Sequence, residues 1–398
     1  MIRIGKHEIP KDLFLFLIIS ALLGVVIAVE STSLANRLYE DLNFTVMQRS
    51  FLETPRELPG LLTVLFIGMM NGLGDMRIAA VANILGGVGL LFFGLSPNVF
   101  SMVLISIVIY STGQHLYMPF ASSIAMSFAK GGQYGRRIGE VQSIGNFAII
   151  AASGLLFLIY HFFEVSYQAV FVIAATCMVL AGILFLFLEA QTVKIVGGKR
   201  FVLRKEYKTY YILSIINGAR KQITLTFVPW LIIDIFQQPV TTITGLFLTT
   251  CLINVFFRPW FGSMIDRRGE RFVLRLEAVV LFVACIGFVY AKQLFPFSIA
   301  LWIVGGCYII DKLMESASMA RATYVRKIAR DMGEVSKTLS MGLSMDHVIS
   351  MFIPLVAGFA WYAGGAEGYR YVFFGGMLIS VANFYVASRL IDAKLPKK

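Results

Sequence analysis

The chain has 398 residues, 58% of them hydrophobic and only 15% charged, with a mean hydropathy of +0.76. Soluble domains average about 25% charged residues, so this composition excludes a large soluble protein, and no polar stretch is long enough for a separate soluble domain. The net charge of +12 would suggest nucleic acid in a soluble chain; in a membrane chain it marks the loops on the cytoplasmic side, and no nucleic-acid partner is expected.

Arg3, Lys6 and Lys11 precede the first apolar run in the manner of a secretory signal. Glu30-Ser-Thr-Ser follows that run without a small-residue cleavage site, so the run reads as a first membrane helix. A spanning helix needs roughly 20 mostly apolar residues. On that measure twelve spans are predicted, at 11–37, 46–70, 76–95, 98–127, 138–162, 165–189, 208–236, 240–262, 272–291, 296–323, 334–362 and 368–390. Charges interrupt the second and the tenth. Asn43-Phe-Thr45 is formally a glycosylation sequon, but it reads as the start of the second span.

Loop charge orients the spans. One set of loops carries Arg77, Lys130, Arg136, Arg137, Lys194, Lys199, Arg200, Arg204, Lys205, Lys208, Arg326, Lys327 and Arg330, and the tail adds Lys394, Lys397 and Lys398. The opposite loops carry Glu40, Asp41, Glu164, Lys292 and Glu367. The basic side is cytoplasmic and holds both termini. Cys177, Cys251, Cys285 and Cys307 fall inside apolar runs without metal-ligand spacing, so they read as small interior residues. No metal and no cofactor are expected.

The longest basic connection, Gln191–Lys208, divides the chain into a bundle of residues 1–190, a cytoplasmic linker 191–207 and a bundle 208–398. Ser20–Thr45 can be laid on Asn217–Thr242 without a gap, as duplication would require. Parallel repeats commonly place a substrate site near the bilayer midplane between the halves.

After the eighth span comes Gly262-Ser-Met-Ile-Asp266-Arg267-Arg268-Gly269-Glu270-Arg271. This resembles the cytoplasmic loop motif of the major facilitator superfamily, Gly-x-x-x-Asp-Arg/Lys-x-Gly-Arg/Lys. Gly262 would let two helices approach, Asp266 would pair with basic residues near a helix end, and Gly269 would permit a tight turn. Arg258, Arg267 and Arg271 are the basic candidates around it. The resemblance covers nearly the whole chain at the level of topology. It implies an all-α polytopic membrane protein with twelve transmembrane helices in two pseudo-symmetric six-helix bundles, working by alternating access. It also implies that helices one, four, seven and ten line a central cavity, that two, five, eight and eleven contribute along the interface between the halves, and that three, six, nine and twelve lie outside. Two departures stand out. The first-half loop Gly68-Met-Met-Asn-Gly-Leu-Gly-Asp-Met-Arg77 has Asn71 or Gly72 where Asp is expected. The fifth span, Gly145-Asn-Phe-Ala-Ile-Ile-Ala-Ala-Ser-Gly154, lacks the Gly-Pro signature of many drug–proton antiporters.

Ionisable side chains inside hydrocarbon are costly and mark function. Here they are Glu30 in the first span, Glu53, Arg56 and Glu57 in the second, Arg220 and Lys221 in the seventh, Asp311, Lys312 and Glu315 in the tenth, and Asp346 and His347 in the eleventh. Gln114 and His115 accompany them in the fourth. This distribution agrees with the cavity-lining helices the resemblance implies. Arg56, Arg220, Lys221 and Lys312 can hold an anionic or polyhydroxylated group, arginine through its bidentate fork, with Gln114 and His115 as further substrate contacts. Glu30, Glu53, Glu57, Asp311, Glu315 and Asp346 are candidate proton carriers, with His347 beside Asp346 as a relay. Spacing puts Arg56 within reach of Glu53, and Glu53 or Glu57 is expected as its titratable partner. Lys312 lies about 100° round the helix from Asp311, so the two need not share a partner.

The reading is a monomeric secondary transporter in a bacterial cytoplasmic (inner) membrane, not an enzyme. It would move a small polar solute with protons, sodium being the alternative ion. A proton-driven exporter of amphiphiles and a non-transporting receptor on the same fold are the competing readings. No nucleophile, metal cluster or phosphate-cradling loop supports enzyme chemistry.

Overall fold

The computed structural model describes residues 2–4, 7–69, 74–128, 134–188, 204–329 and 332–390. Asn71, Gly72, Lys130, Lys194, Lys199, Arg200, Arg330, Lys394, Lys397 and Lys398, most of the expected linker and the side chain of Arg136 lie outside the described residues. The chain opens on two short antiparallel strands, β1 (Ile2–Ile4) and β2 (His7–Ile9), where only helices were expected. Every regular element after them is helical among the described residues. The helices are α1 (Lys11–Asn36), α2 (Val46–Met69), α3 (Asp75–Leu95), α4 (Phe100–Ser127), α5 (Tyr134–Phe162), α6 (Tyr167–Phe185), α7 (Lys208–Trp230), α8 (Val240–Arg268), α9 (Glu270–Leu294), α10 (Phe297–Met314), α11 (Ser318–Ile328), α12 (Met332–Ala363) and α13 (Gly368–Ser388).

The tenth expected span is thus two helices. A 3-10 turn at Glu315–Ala317 separates α10 from α11. The turn falls where Lys312 and Glu315 interrupt the apolar run. Nine segments of the described residues are long and apolar enough to cross a membrane, with α2, α4 and α7 outside that set. Thr45 caps α2: its Oγ1 accepts from the Gln48 amide at 3.3 Å, and the Gln48 side chain accepts from the Thr45 amide at 2.9 Å. Ser166 caps α6 in the same way, accepting from the Ala169 amide at 3.3 Å.

The described chain forms two compact units, one of residues 1–43, 55–196 and 239–248, the other of 44–54, 197–238 and 249–398. In the first, α1 packs on α5 and α6, and α3 on α4 and α6. In the second, α7 packs on α12 and α13, and α9 on α10 and α13. The two plans are the same. They share an unusual detail as well, a π-helical turn after α1 at Arg37–Asp41 and after α7 at Leu231–Ile235. Each is followed by a residue in the left-handed region, Asn43 (φ 51°) and Gln237 (φ 49°). Arg37 therefore matches Leu231 and Val46 matches Val240, three residues out of register with the gapless pairing of Thr45 on Thr242. Pro229 does not cause the second turn, because the first has no proline.

Lipid tails are as apolar as leucine, so helices in a membrane associate through close packing and polar contacts. Small residues provide the approach. A Cβ on Gly182 of α6 would lie 2.7 Å from Ile84 of α3, and one on Gly24 of α1 would lie 2.7 Å from the Gly145 carbonyl of α5. In the second unit a Cβ on Gly218 of α7 would lie 2.6 Å from the Asp346 carbonyl of α12. One expected approach is absent: a Cβ on Gly262 meets nothing within 4 Å among the described residues. That glycine sits on an open stretch of α8, and no neighbour requires it to be small. Gly269, by contrast, turns the chain between α8 and α9 with φ 80°.

These contacts set opposite expectations for two glycines. Gly113 of α4 lies against the Ala82 and Gly86 backbone of α3. Gly113→Val should lower stability by about 1–3 kcal/mol or more, seen as a lower thermal midpoint in detergent. Gly262→Ala should leave the midpoint unchanged or raise it, since alanine favours a helix by about 1 kcal/mol over glycine.

Candidate functional site

In the first unit the charged interior is built around Glu30 of α1. Its Oε1 accepts from Arg56 Nη2 at 3.1 Å. Its Oε2 accepts from the Tyr110 hydroxyl at 2.6 Å and from Gln114 Nε2 at 3.1 Å, both on α4. The Arg56 and Glu30 side chains are only 12% and 13% exposed. Ser111 donates to the Arg56 carbonyl and lies 3.0 Å from His115 Nδ1. Four residues picked from the sequence, Glu30, Arg56, Gln114 and His115, thus meet in one cluster. Spacing suggested Glu53 or Glu57 as the partner of Arg56, and each of Arg56 and Glu53 also has another partner. Arg56 reaches across to Glu30 on another helix, while Glu53 pairs with Arg49 one turn earlier. Tyr110 was not foreseen, because a tyrosine in an apolar run looks like packing.

The second unit holds three polar groupings. Near the start of α2, fully buried Glu53 accepts from Arg49 and from Gln222 Nε2 of α7, the latter at 2.8 Å. On α10, Asp311 Oδ1 accepts from Arg220 Nη1 at 3.0 Å and Thr224 Oγ1 at 3.2 Å, both on α7. Lys312 turns instead to Glu315 at 2.8 Å, so adjacent residues serve different partners. The third grouping is the most extended. Glu277 of α9 accepts from Arg321 Nη1 of α11 at 3.2 Å and 3.0 Å, one distance to each carboxylate oxygen. Arg321 Nη2 donates to Asn217 Oδ1 of α7 at 2.7 Å, and Asn217 Nδ2 donates to Asp346 Oδ2 of α12 at 2.9 Å. Lys221 completes the chain on Asp346 Oδ1. Asn383 of α13 also donates to Glu277, at 3.4 Å.

Glu277 and Arg321 were missed by sequence reasoning. Glu277 lies in the ninth span, which was expected to lie outside the cavity, and Arg321, inside the tenth expected span, was not singled out. An acid in a run such as Leu274-Arg-Leu-Glu-Ala-Val-Val-Leu281 was the available signal. Glu57 and His347 are buried at 5% and 7% exposure.

The cytoplasmic-loop residues also differ from expectation. Asp266 and Arg258 are exposed, and Asp266 forms no ion pair among the described residues. The acid held at this loop is Glu270, which accepts from Lys327 of α11 at 2.8 Å. Its backbone starts α9, so the helix dipole adds to the attraction. Arg271 donates from Nε to the Ser388 carbonyl at 3.0 Å and so caps the end of α13. Arg267 is exposed.

Long apolar helices whose interior holds paired arginines and carboxylates define an integral membrane protein with a polar interior. The chain belongs to the Major Facilitator Superfamily: the family model matches residues 13–333. Among solved structures it is similar to the nucleoside transporter NupG, with a TM-score of 0.78 at 15% identity over 97% of this chain and 100% of that one. It is also similar to a bacterial homologue of the human lysosomal transporter Spinster in its inward-facing, occupied form, with a TM-score of 0.73 at 15% identity over 97% and 98% of the two chains. These likenesses establish a transporter fold. No curated protein matches the sequence significantly.

Removing one partner of a buried ion pair strands the other charge. Arg321→Met should therefore cost about 3–5 kcal/mol, and adding Glu277→Leu should recover most of that loss. Thermal midpoints in detergent check both. Equal losses for the single and double variants would show that neutralising Glu277 is not the guanidinium's contribution.

Proposed function

We propose that the protein is a proton-coupled secondary transporter that moves a small polar solute, anionic or zwitterionic, by alternating access. In this reading residues 1–190 and 208–398 are the two six-helix bundles, both termini are cytoplasmic, and the chain works as a monomer in a bacterial cytoplasmic membrane. Family membership supports transport. The observation that carries the coupling is the state of Asp311. Its Oδ1 holds Arg220 and Thr224, while Oδ2 is buried with no hydrogen-bond partner among the described residues.

A carboxylate spreads its charge over both oxygens, and an unsatisfied buried polar atom costs about 1–3 kcal/mol, more when charged. A proton on Oδ2 removes that charge and keeps both bonds to Oδ1. It also leaves Arg220 cationic without its full counter-charge, which favours an anionic or electron-rich group of the solute. Proton loading and solute binding are thereby linked through one side chain. Glu30, held by Arg56, Tyr110 and Gln114, supplies a second acid–arginine pair in the first unit.

The test is uptake into proteoliposomes under an imposed pH gradient. The panel is organic anions, zwitterions, sugar derivatives and nucleosides, the last prompted by a fold neighbour's name. A gradient of one pH unit should drive about tenfold accumulation per proton. Asp311→Asn should abolish accumulation while leaving exchange at equal pH. Movement of lipophilic dyes alone would sink the polar-solute reading. Undiminished accumulation by Asp311→Asn would remove Asp311 as carrier.

A further inference from the structure

The chain of contacts from Glu277 to Lys221 has a directional property that no single pair in it shows. Arginine only donates hydrogen bonds, so the oxygen of Asn217 must face Arg321 Nη2, 2.7 Å away. The amide nitrogen of Asn217 must then face Asp346 Oδ2, at 2.9 Å, as a donor. Lys221 Nζ, also a pure donor, faces Asp346 Oδ1. Ionised Asp346 accepts on both sides and satisfies every member. A proton on Oδ2 would remove that oxygen's charge and compete for its lone pairs with the Asn217 N–H, which can only donate to it. The amide cannot turn over to accommodate it, because its nitrogen would then face the guanidinium. Glu277, 1% exposed and bonded through both oxygens, fixes that guanidinium in place.

We propose that Glu277 and Arg321 are positioning residues that lock the Asn217 amide, so that Asp346 takes up a proton at Oδ1 in preference to Oδ2, as Lys221 leaves. This rests on the proton-coupled reading above and adds a second, ordered step to it. The proton comes from water and forms the O–H bond on Oδ1. The Lys221–Asp346 ion pair breaks, and the ammonium keeps its own protons. Lys221 is the member able to move: its side chain is 30% exposed, against 8% for Asp346 and 8% for Arg321. The released ammonium becomes a site for an anionic group of the solute, so proton entry precedes anion capture.

The other charged or titratable groups around Asp346 do not offer a competing route. Tyr210 of α7, near both Arg321 and Asp346, packs against Gly342 one turn before Asp346. Arg49 and Glu53 of α2 are paired with each other. From α13 comes the neutral Asn383, which is on Glu277. His347 follows Asp346 on α12 and points from a different side of the helix, about 100° round.

The full-length protein in lipid nanodiscs is titrated with acid, without solute. Protonation of Asp346 is read by infrared difference spectroscopy, its carboxyl band assigned by loss in Asp346→Asn. Release of Lys221 is read at each pH by a short pulse of reductive methylation and mass spectrometry, as the ratio of Lys221 to exposed Lys208. In the native protein the two curves should share one midpoint, the labelling ratio rising as the band appears. In Asn217→Val the band should appear while the ratio keeps its high-pH value. Arg321→Lys, which retains the charge and loses the fork, should uncouple them in the same way. Separate midpoints in the native protein overturn the proposal, as does a missing band over the whole pH range of the folded state. An Asn217→Val that remains linked overturns it too. If neither variant folds, the native curves alone decide. Linked curves without proton-driven uptake in vesicles would refute the transport reading and leave the lock standing.

Discussion

The cost of removing a charge from water governs this interior. An ionised group in a medium of low dielectric survives only with a counter-charge and enough donors or acceptors to replace its hydration. Glu30, Glu53, Glu277, Asp311 and Asp346 each have the counter-charge, a cation on the same or a neighbouring helix. Because most of the pairs join different helices, they also set how those helices face one another. Glu277 and Asp346 together engage α7, α9, α11, α12 and α13. Ordinary apolar packing gives no such register, since one leucine surface slides over another at little cost.

Hydropathy made the helices legible, and spacing made the charged positions legible, because both are local properties. What spacing could not reveal was who pairs with whom. Arg56 and Glu53 lie within reach on one helix, yet Arg56 is taken by Glu30 and Glu53 by Arg49. The deciding partners, Tyr110, Gln114 and Gln222, are far along the chain, and even Gln114, visible as a polar residue in the fourth span, gives no sign of which acid it serves. Glu277 was missed for a different reason. The fold expectation assigned its helix to the outside, and that expectation overrode the plain rule that a buried acid needs a partner. The break between α10 and α11 was foreshadowed by the charges around Lys312, but a hydropathy window averages such a break away.

The internal repeat is clearer in structure than in sequence. Matching packing plans and matching π-helical turns align α1 with α7 and the start of α2 with the start of α8. The gapless sequence overlay fell three residues short of that register. Its two identities, Leu34 with Leu231 and Thr45 with Thr242, are of residue types that recur in any membrane helix. The turns persist although their side chains differ. In the first, Arg37 donates to the Phe93 and Gly94 carbonyls at 3.1 and 2.8 Å, satisfying the open end of α3. Leu231 stands in its place in the second. Backbone geometry has outlasted the interaction that holds it in one copy.

The acids also differ in how completely they are held, and that difference separates scaffold from working parts. Glu277 has both oxygens on Arg321 and a third donor in Asn383, so a proton arriving there would weaken an ion pair and three accepted bonds. Asp311 has one oxygen fully engaged and the other without a partner among the described residues. Asp346 lies between these cases: both oxygens are engaged, one of them by Lys221, whose side chain already reaches toward water. A group that must exchange a proton during a cycle cannot be as fully satisfied as one that only holds helices together. The gradation from Asp311 through Asp346 to Glu277 is the order in which their bonds should yield. It places the rigid end of the network on α9 and α11 and the exchangeable end on α7, α10 and α12.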